Sequence, residues 1–223
     1  MTLDDKHAAS MAALQDLAAS FPLSSVWIAW TGGKDSTLAL ALWRECLKSL
    51  SHEPPRALGV DTGLEFSEVL DFRRIQAEKW GVELRIFGSK GDAGSSCFEP
   101  ADPLQCCRKH KVEPLRQAVR ELKVQVLLTG LRREEHASRR ERQLREKRSD
   151  PEYLQVNPLL EWSEMDVWAY HLSTGLPYCS LYEQGYRSLD CKPCTAVSGS
   201  GERAGRNPAK ERHLAALREL GYF

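Results

Sequence analysis

The sequence predicts a doubly wound α/β fold, a mainly parallel five-stranded sheet with helices on both faces. Three observations lead to it. Short β-rich runs recur between longer helical patterns, Gly, Asp or Thr stands where one pattern gives way to the next, and the order strand, helix, strand repeats along most of the chain. Such a sheet needs right-handed crossovers, and its ligands gather at the carboxyl ends of the strands.

VWIAW (26–30) reads as the first strand and turns through TGGKDS into a helical stretch, STLALALWRECLKSL. RALGV (56–60) is a second strand that reaches DTG, FSEVLDFRRIQAEKWG a helix, and LRIFG (84–88) a third strand. KVEPLRQAVREL gives a further helix, VQVLLTG (124–130) the fourth strand and YLQVNPLL (153–160) the fifth. Ser163 and Asp166 then form a capping box for the next helix. The turns to search are therefore 31–36, 61–63, 130–133 and the segment after Leu160. Residues 88–105, rich in Gly, Ser and Pro, read as a functional or mobile loop. Residues 131–150 hold eight basic against five acidic side chains, and Arg140, Arg142, Arg145, Lys147 and Arg148 read as a solvated face. The last residues open as a Gly-rich loop and close as an amphipathic helix. The sequence has no internal repeat.

With 223 residues, 42% of them apolar, the chain is long enough for one domain with a small appendage, and disorder and fibrous architecture are excluded. Its 31 basic and 31 acidic residues balance, which gives no general pull toward nucleic acid or acidic membranes. No apolar run reaches the roughly 18 residues that cross a bilayer, and the amino-terminal stretch is acidic, so a cytoplasmic protein is expected. Seven cysteines, an odd number, favour metal or redox chemistry over a disulfide framework.

TGGKDS carries chemistry because of where it stands. Gly32 and Gly33 let the backbone turn tightly and bring its N–H groups to an anion, Lys34 adds charge, and Asp35 and Ser36 start a helix whose amino end attracts anions. The spacing is not that of the common nucleoside-triphosphatase loop. An ordinary strand-to-helix turn with a surface lysine is the plain alternative.

TGGKDS resembles the Ser-Gly-Gly-Lys-Asp-Ser loop of PP-loop pyrophosphatases, with Thr31 keeping the first hydroxyl. DTG at 61–63, GLRREEHASR at 130–139 and NPLLEWSEMDVWAY at 157–170 are similar to later blocks of one branch, the phosphoadenosine phosphosulfate reductase family. The resemblance runs from about residue 24 to about residue 206 and implies an adenine-nucleotide α-hydrolase-like fold, with residues 1–206 as the nucleotide-binding, reductase-like domain and 207–223 as a helical tail. It implies adenine across the strand ends near Asp61 and Gly130, phosphates on Thr31, Gly32, Gly33, Lys34, Asp35 and Ser36, and Arg132, Arg133 and Arg139 toward the anionic end. Guanidinium groups suit that task because they stay charged and fork two oxygens of one phosphate or sulfate. GERAGR resembles an arginine-rich segment that the family aims at sulfate and phosphate, which adds Arg203 and Arg206.

Cys106 and Cys107 are adjacent, and Cys191 and Cys194 form a Cys-x-x-Cys. QCCRKHKVEPL with LDCKPCTAV resembles the cysteine blocks of the assimilatory adenylyl-sulfate reductases, whose four thiolates hold a [4Fe-4S] cluster. Lys111 stands where that family has a lysine between cluster and substrate. A structural zinc would use the same four atoms. Cys46 reads as a core residue and Cys179 as a spare thiol, while Cys97, in the 88–105 loop, is a candidate nucleophile.

The reductases attack with a cysteine in a Glu-Cys-Gly-Leu segment near their end, which thioredoxin then resolves, but no cysteine follows Cys194 in this sequence. The resemblance therefore implies sulfonucleotide reduction with Cys97 or a partner's thiol as nucleophile. The intact loop favours a different reaction, an ATP pyrophosphatase that uses Mg²⁺ and adenylylates an acceptor for sulfur insertion. A non-catalytic nucleotide and cluster sensor, docking through the helix at 209–223, is a third reading.

Overall fold

The computed structural model describes residues 1–50, 53–88, 102–199, 201–219 and 221. Cys97 and residues 89–101 of the Gly-rich stretch lie outside them. The chain opens with α1 (Leu3–Ser20), whose Thr2 and Asp5 form a capping box and whose Leu14 and Leu17 enter the core. Strands and helices then alternate through β1 (Val26–Ala29), α2 (Lys34–Leu50), β2 (Arg56–Asp61), α3 (Ser67–Trp80) and β3 (Glu83–Gly88). Next come α4 (Pro103–Cys107), a π-helical turn over Arg108–Val112, and α5 (Glu113–Glu121). After β4 (Val126–Leu128), β5 (Arg145–Ser149) and β6 (Glu152–Val156) lie α6 (Glu164–Thr174), α7 (Pro208–Arg212) and α8 (Leu214–Glu219).

The described sheet has six strands, in the order β3-β2-β1-β4-β6-β5, where the sequence led us to expect five. Neighbours are parallel except β5 and β6, which form an antiparallel hairpin from Arg145 opposite Val156 to Ser149 opposite Glu152. The added strand, REKRS, comes from the run read as a solvated face. It lies at the sheet edge, where backbone pairing to β6 needs no apolar side chains, and Glu146 and Arg148 are half-buried. Arg142 corrects that reading further: it is buried, and its Nε donates to Glu146 at 2.6 Å. The fifth expected strand stops at Val156, since Asn157 to Trp162 turn back through hydrogen bonds from Leu160 N to Asn157 O and from Trp162 N to Leu159 O.

β1 is apolar throughout because both of its faces are covered. Val26, Ile28 and Trp30 meet α1, α2, α3 and α6, while Trp27 and Ala29 meet Leu115, Ala118 and Val119 of α5. Helix α6 starts at the expected box, with Ser163 and Asp166 exchanging bonds of 2.7 and 3.1 Å, and ends at Gly175 in the left-handed region. The tail is two short helices instead of one, broken at His213, and Leu214 and Leu217 pack against Cys107 and Leu104. Among the described residues no helix is long and apolar enough to cross a membrane.

Candidate active site

The loop between β1 and α2 is closed by its own hydroxyls. Thr31 Oγ lies 3.0 Å from Ser36 Oγ, Gly33 N donates to Thr31 at 3.3 Å, and Ser36 Oγ donates to the Gly33 carbonyl at 3.1 Å. Gly32 has φ +83°, and a Cβ there would meet Val69 at 3.0 Å, so both its conformation and its space call for glycine. Gly130, at the end of β4, has an ordinary φ but abuts the loop: a Cβ would lie 2.6 Å from the backbone of Asp35 and Ser36.

Lys34 is 1% exposed and Arg132 is fully buried. Lys34 Nζ donates to Asp35 at 3.1 Å and to Glu202, while Arg132 donates through Nε to Asp35 at 2.6 Å and through Nη2 to the same Glu202 oxygen. Burial alone would lower the pKa of Lys34, but Asp35, Tyr182 and Glu202 outweigh it and hold it above its ordinary value. For Asp35 burial works upward and is outweighed by Lys34 and Arg132, so its carboxyl stays low. Tyr182, pushed up to about 12 chiefly by burial, keeps its proton and accepts the Lys34 backbone N–H at 2.9 Å.

A cavity of about 180 Å³ opens over the strand ends. Thr31, Gly33, Asp35 and Ser36 of the loop line it with Leu58 to Val60, Gly130 and Leu131, as do Arg139, Arg203, Arg206 and Lys111. Arg139 and Arg203 share Glu135, Arg203 also forks Glu211 with two bonds of 2.8 Å, and Arg206 reaches Ser188 at 2.8 Å and Asp190 at 2.7 Å. Five expected nucleotide-site residues do not line it: Gly32, Lys34, Asp61, Arg132 and Arg133. Arg133 pairs with Glu161 outside the cavity, and Asp61 accepts the Gly63 N–H at 2.8 Å beyond its wall.

A second, small cavity brings Cys106, Cys107, Cys191 and Cys194 together with Thr62, Leu64, His110, Lys111 and Lys210. The vicinal pair ends α4, where the Asp102 side chain caps the helix by accepting from Gln105 N at 3.0 Å. The π turn that follows widens the helix by one residue per turn and carries Lys111. The other pair sits on a loop tied to the β2–α3 turn through Lys192 N and the Leu64 carbonyl at 2.8 Å. Asp190 accepts from Lys111, Lys210 and Arg206. Burial would raise its carboxyl, but those three cations hold it well below the ordinary range. Burial, with Asp190 adding to it, pushes the Cys194 thiol up to about 11. Four thiols on one cavity are the donor set of an iron-sulfur cluster and of a structural zinc alike. Among the described residues no three Cys, His, Asp or Glu side chains are gathered to hold a single metal ion. Cys46 and Cys179 are buried in the main core.

Glu202, Glu135, Asp190, Lys210 and Tyr182 were not singled out from the sequence. Glu202, Glu135 and Asp190 carried a signal, their places inside GERAGR, GLRREEHASR and LDCKPCTAV.

A glycine loop on the end of the first strand, with basic side chains gathered over the strand ends, defines an α/β protein of the PP-loop class. Within it, the chain belongs to the phosphoadenosine phosphosulfate reductase domain family, whose model matches residues 25–197. The adenosine 5′-phosphosulfate reductase of Allochromatium vinosum is 32% identical over 217 residues, spanning 92% of this chain and 81% of that one. That of Neisseria meningitidis serogroup B is 44% identical over 104 residues, a stretch covering 46% of this chain and 42% of its own. In fold, the phosphoadenylyl-sulfate reductase of Candida auris in a phosphate complex aligns with a TM-score of 0.69 at 22% identity, over 87% of this chain and 96% of that one.

Proposed function

We propose that the protein is a sulfonucleotide reductase, converting adenylyl sulfate or its 3′-phosphorylated form into sulfite and an adenosine phosphate in the cytoplasm. One observation carries the reading: Thr62 and Lys111 line both cavities, so the groove over the strand ends and the four-cysteine pocket share a wall. Adenine lies over the strand ends, the phosphate turns toward Thr31–Ser36, and the sulfate end meets Arg139, Arg203 and Arg206. Their guanidinium groups fork its oxygens and hold it against the side chain of Lys111.

Cys106, Cys107, Cys191 and Cys194 would hold a [4Fe-4S] cluster. The donor set fits, with four thiols from two chain segments and Lys111, Lys210 and Arg206 nearby to offset thiolate charge. When bound, the cluster supplies electrostatic support to the sulfate end. In the reaction, a thiolate from Cys97 or from a partner attacks the sulfate sulfur, and the bond from that sulfur to the bridging oxygen breaks as the adenosine phosphate leaves with the electron pair. A second thiol then attacks the resulting S-sulfonate at its thiol sulfur and releases sulfite. Both electrons come from a dithiol such as thioredoxin, which ends as a disulfide.

Anaerobic incubation with each sulfonucleotide and reduced thioredoxin is expected to release sulfite and adenosine phosphate in equal amounts; no sulfite from either substrate overturns the reading. The intact loop favours one alternative, an ATP pyrophosphatase using Mg²⁺ to adenylylate an acceptor. Its signature is pyrophosphate release from ATP with no sulfite from sulfonucleotides.

A further inference from the structure

We infer that Glu202 decides which adenine nucleotide the glycine loop accepts, by occupying with its own carboxylate the seat that a β- or γ-phosphate would take. The inference rests on the proposed nucleotide site. One oxygen of Glu202 receives both Lys34 Nζ and Arg132 Nη2, bridging two buried cations as a phosphate oxygen would. Asp35 receives the same two residues from the other side, so two cations already face two carboxylates. A phosphate approaching Lys34 and Arg132 with Glu202 in place meets a like charge among buried groups, where screening is weak. To seat it, Glu202 must leave.

Leaving is opposed by the segment that carries it. Gly205 is paired with Ala196, whose N donates to the Gly205 carbonyl at 2.8 Å, and a Cβ on Gly205 would strike the Ala196 carbonyl. Arg203 is forked to Glu211 and Arg206 is fixed to Asp190 and Ser188. Among the described residues Arg132 Nη1 is buried with no acceptor, a donor that the carboxylate does not use and that a tetrahedral anion with more oxygens would. Glu202 therefore holds the position of an anion with one buried donor of Arg132 left over. A nucleotide whose negative end turns toward Arg139, Arg203 and Arg206 avoids the conflict, whereas a triphosphate does not.

The test compares calorimetric affinities of wild type and Glu202→Gln for adenylyl sulfate, AMP, ATP without divalent cation, and inorganic pyrophosphate. Removing the resident charge is expected to tighten ATP and pyrophosphate by roughly tenfold or more, and AMP and adenylyl sulfate by less than about threefold. An equal gain for all four, or no gain for ATP, overturns the inference. So does a wild type that binds ATP more tightly than adenylyl sulfate. Should Glu202→Gln fail to fold, Glu202→Asp, with a shorter reach, is expected to shift the same ratio in the same direction, and an unchanged ratio overturns the inference. If wild type binds neither AMP nor adenylyl sulfate, the nucleotide site itself falls, and this inference with it. Adenylyl sulfate binding with an unselective Glu202→Gln leaves the site standing and removes only the role of Glu202.

Discussion

Around the glycine loop two cations, Lys34 and Arg132, face two carboxylates, whereas beside the cysteines three cations, Lys111, Lys210 and Arg206, face the single carboxylate of Asp190. The two regions meet at Lys111 and differ in what they are ready to receive. The loop seat is balanced from within, so an added anion must displace one already there. On the cysteine side three cations share the carboxylate of Asp190 next to groups that become negative when they bind metal. Burial of a charge is tolerated only when it is paired, and the two regions satisfy that rule with different reserves.

The sharpest way to break this comparison is to remove one carboxylate from each. Asp190→Asn removes the buried carboxylate that three basic groups share, and a loss of about 3–5 kcal/mol is expected, the cost of breaking a buried ion cluster. Glu202→Gln keeps an acceptor oxygen and leaves Asp35 on both cations, so it is expected to cost about 1–2 kcal/mol. Urea unfolding of the two variants measures the difference. Equal losses would mean that the regions do not differ in reserve.

How much of this was legible in the sequence depends on what kind of signal each residue leaves. The first four strands, the glycine loop and the Ser163–Asp166 cap stand on local chemistry: apolar runs, φ-permissive glycines and short-range hydrogen bonds. The two cysteine pairs, Lys111 and the arginines came from pattern. β5 was hidden because REKRS has neither β-branched nor aromatic residues, and its strand character comes from pairing with β6. The carboxylates were hidden for another reason. In a chain with 31 acidic residues, the motifs around Glu202 and Asp190 do not say that these acids are buried partners of cations, and only the fold, through contacts 168 and 79 residues apart, gives them those cations.

A smaller effect sharpens the steric side of the comparison. The loop seat depends on backbone lying against backbone at Gly130, where a Cβ would stand 2.6 Å from Asp35 and Ser36, whereas Gly199 has nothing within 4 Å. Gly130→Ala is expected to lower stability by about 1–3 kcal/mol, as overpacking does, and to weaken nucleotide binding. Gly199→Ala is the control and is expected to change neither. Thermal unfolding and AMP calorimetry read both, and a silent Gly130→Ala would show that the strand end can yield without disturbing the loop.

The smallest effect is one of pH. His171 is 1% exposed, with its ring nitrogens 3.0 Å from the carbonyls of Leu176 and Lys34, so it braces the helix that starts in the loop. Burial lowers its pKa below the ordinary 6.5, against the pull of the two carbonyls. A folded value below the unfolded one means that the unfolded chain binds the proton more readily. The contribution of His171 is thus complete above the ordinary value and is lost as the pH falls through it toward the folded value. Asp190, held far below the carboxylate range, does not titrate in that interval. Acidification from about pH 6.5 to about pH 5 should therefore loosen the His171 brace, by about 1 kcal/mol or less, and His171→Gln should flatten that part of the curve, while His110, lowered likewise by burial and Lys109, adds its own loss on the cysteine side. Urea midpoints across the interval test it, and parallel curves for wild type and variant would move the acid sensitivity away from the loop.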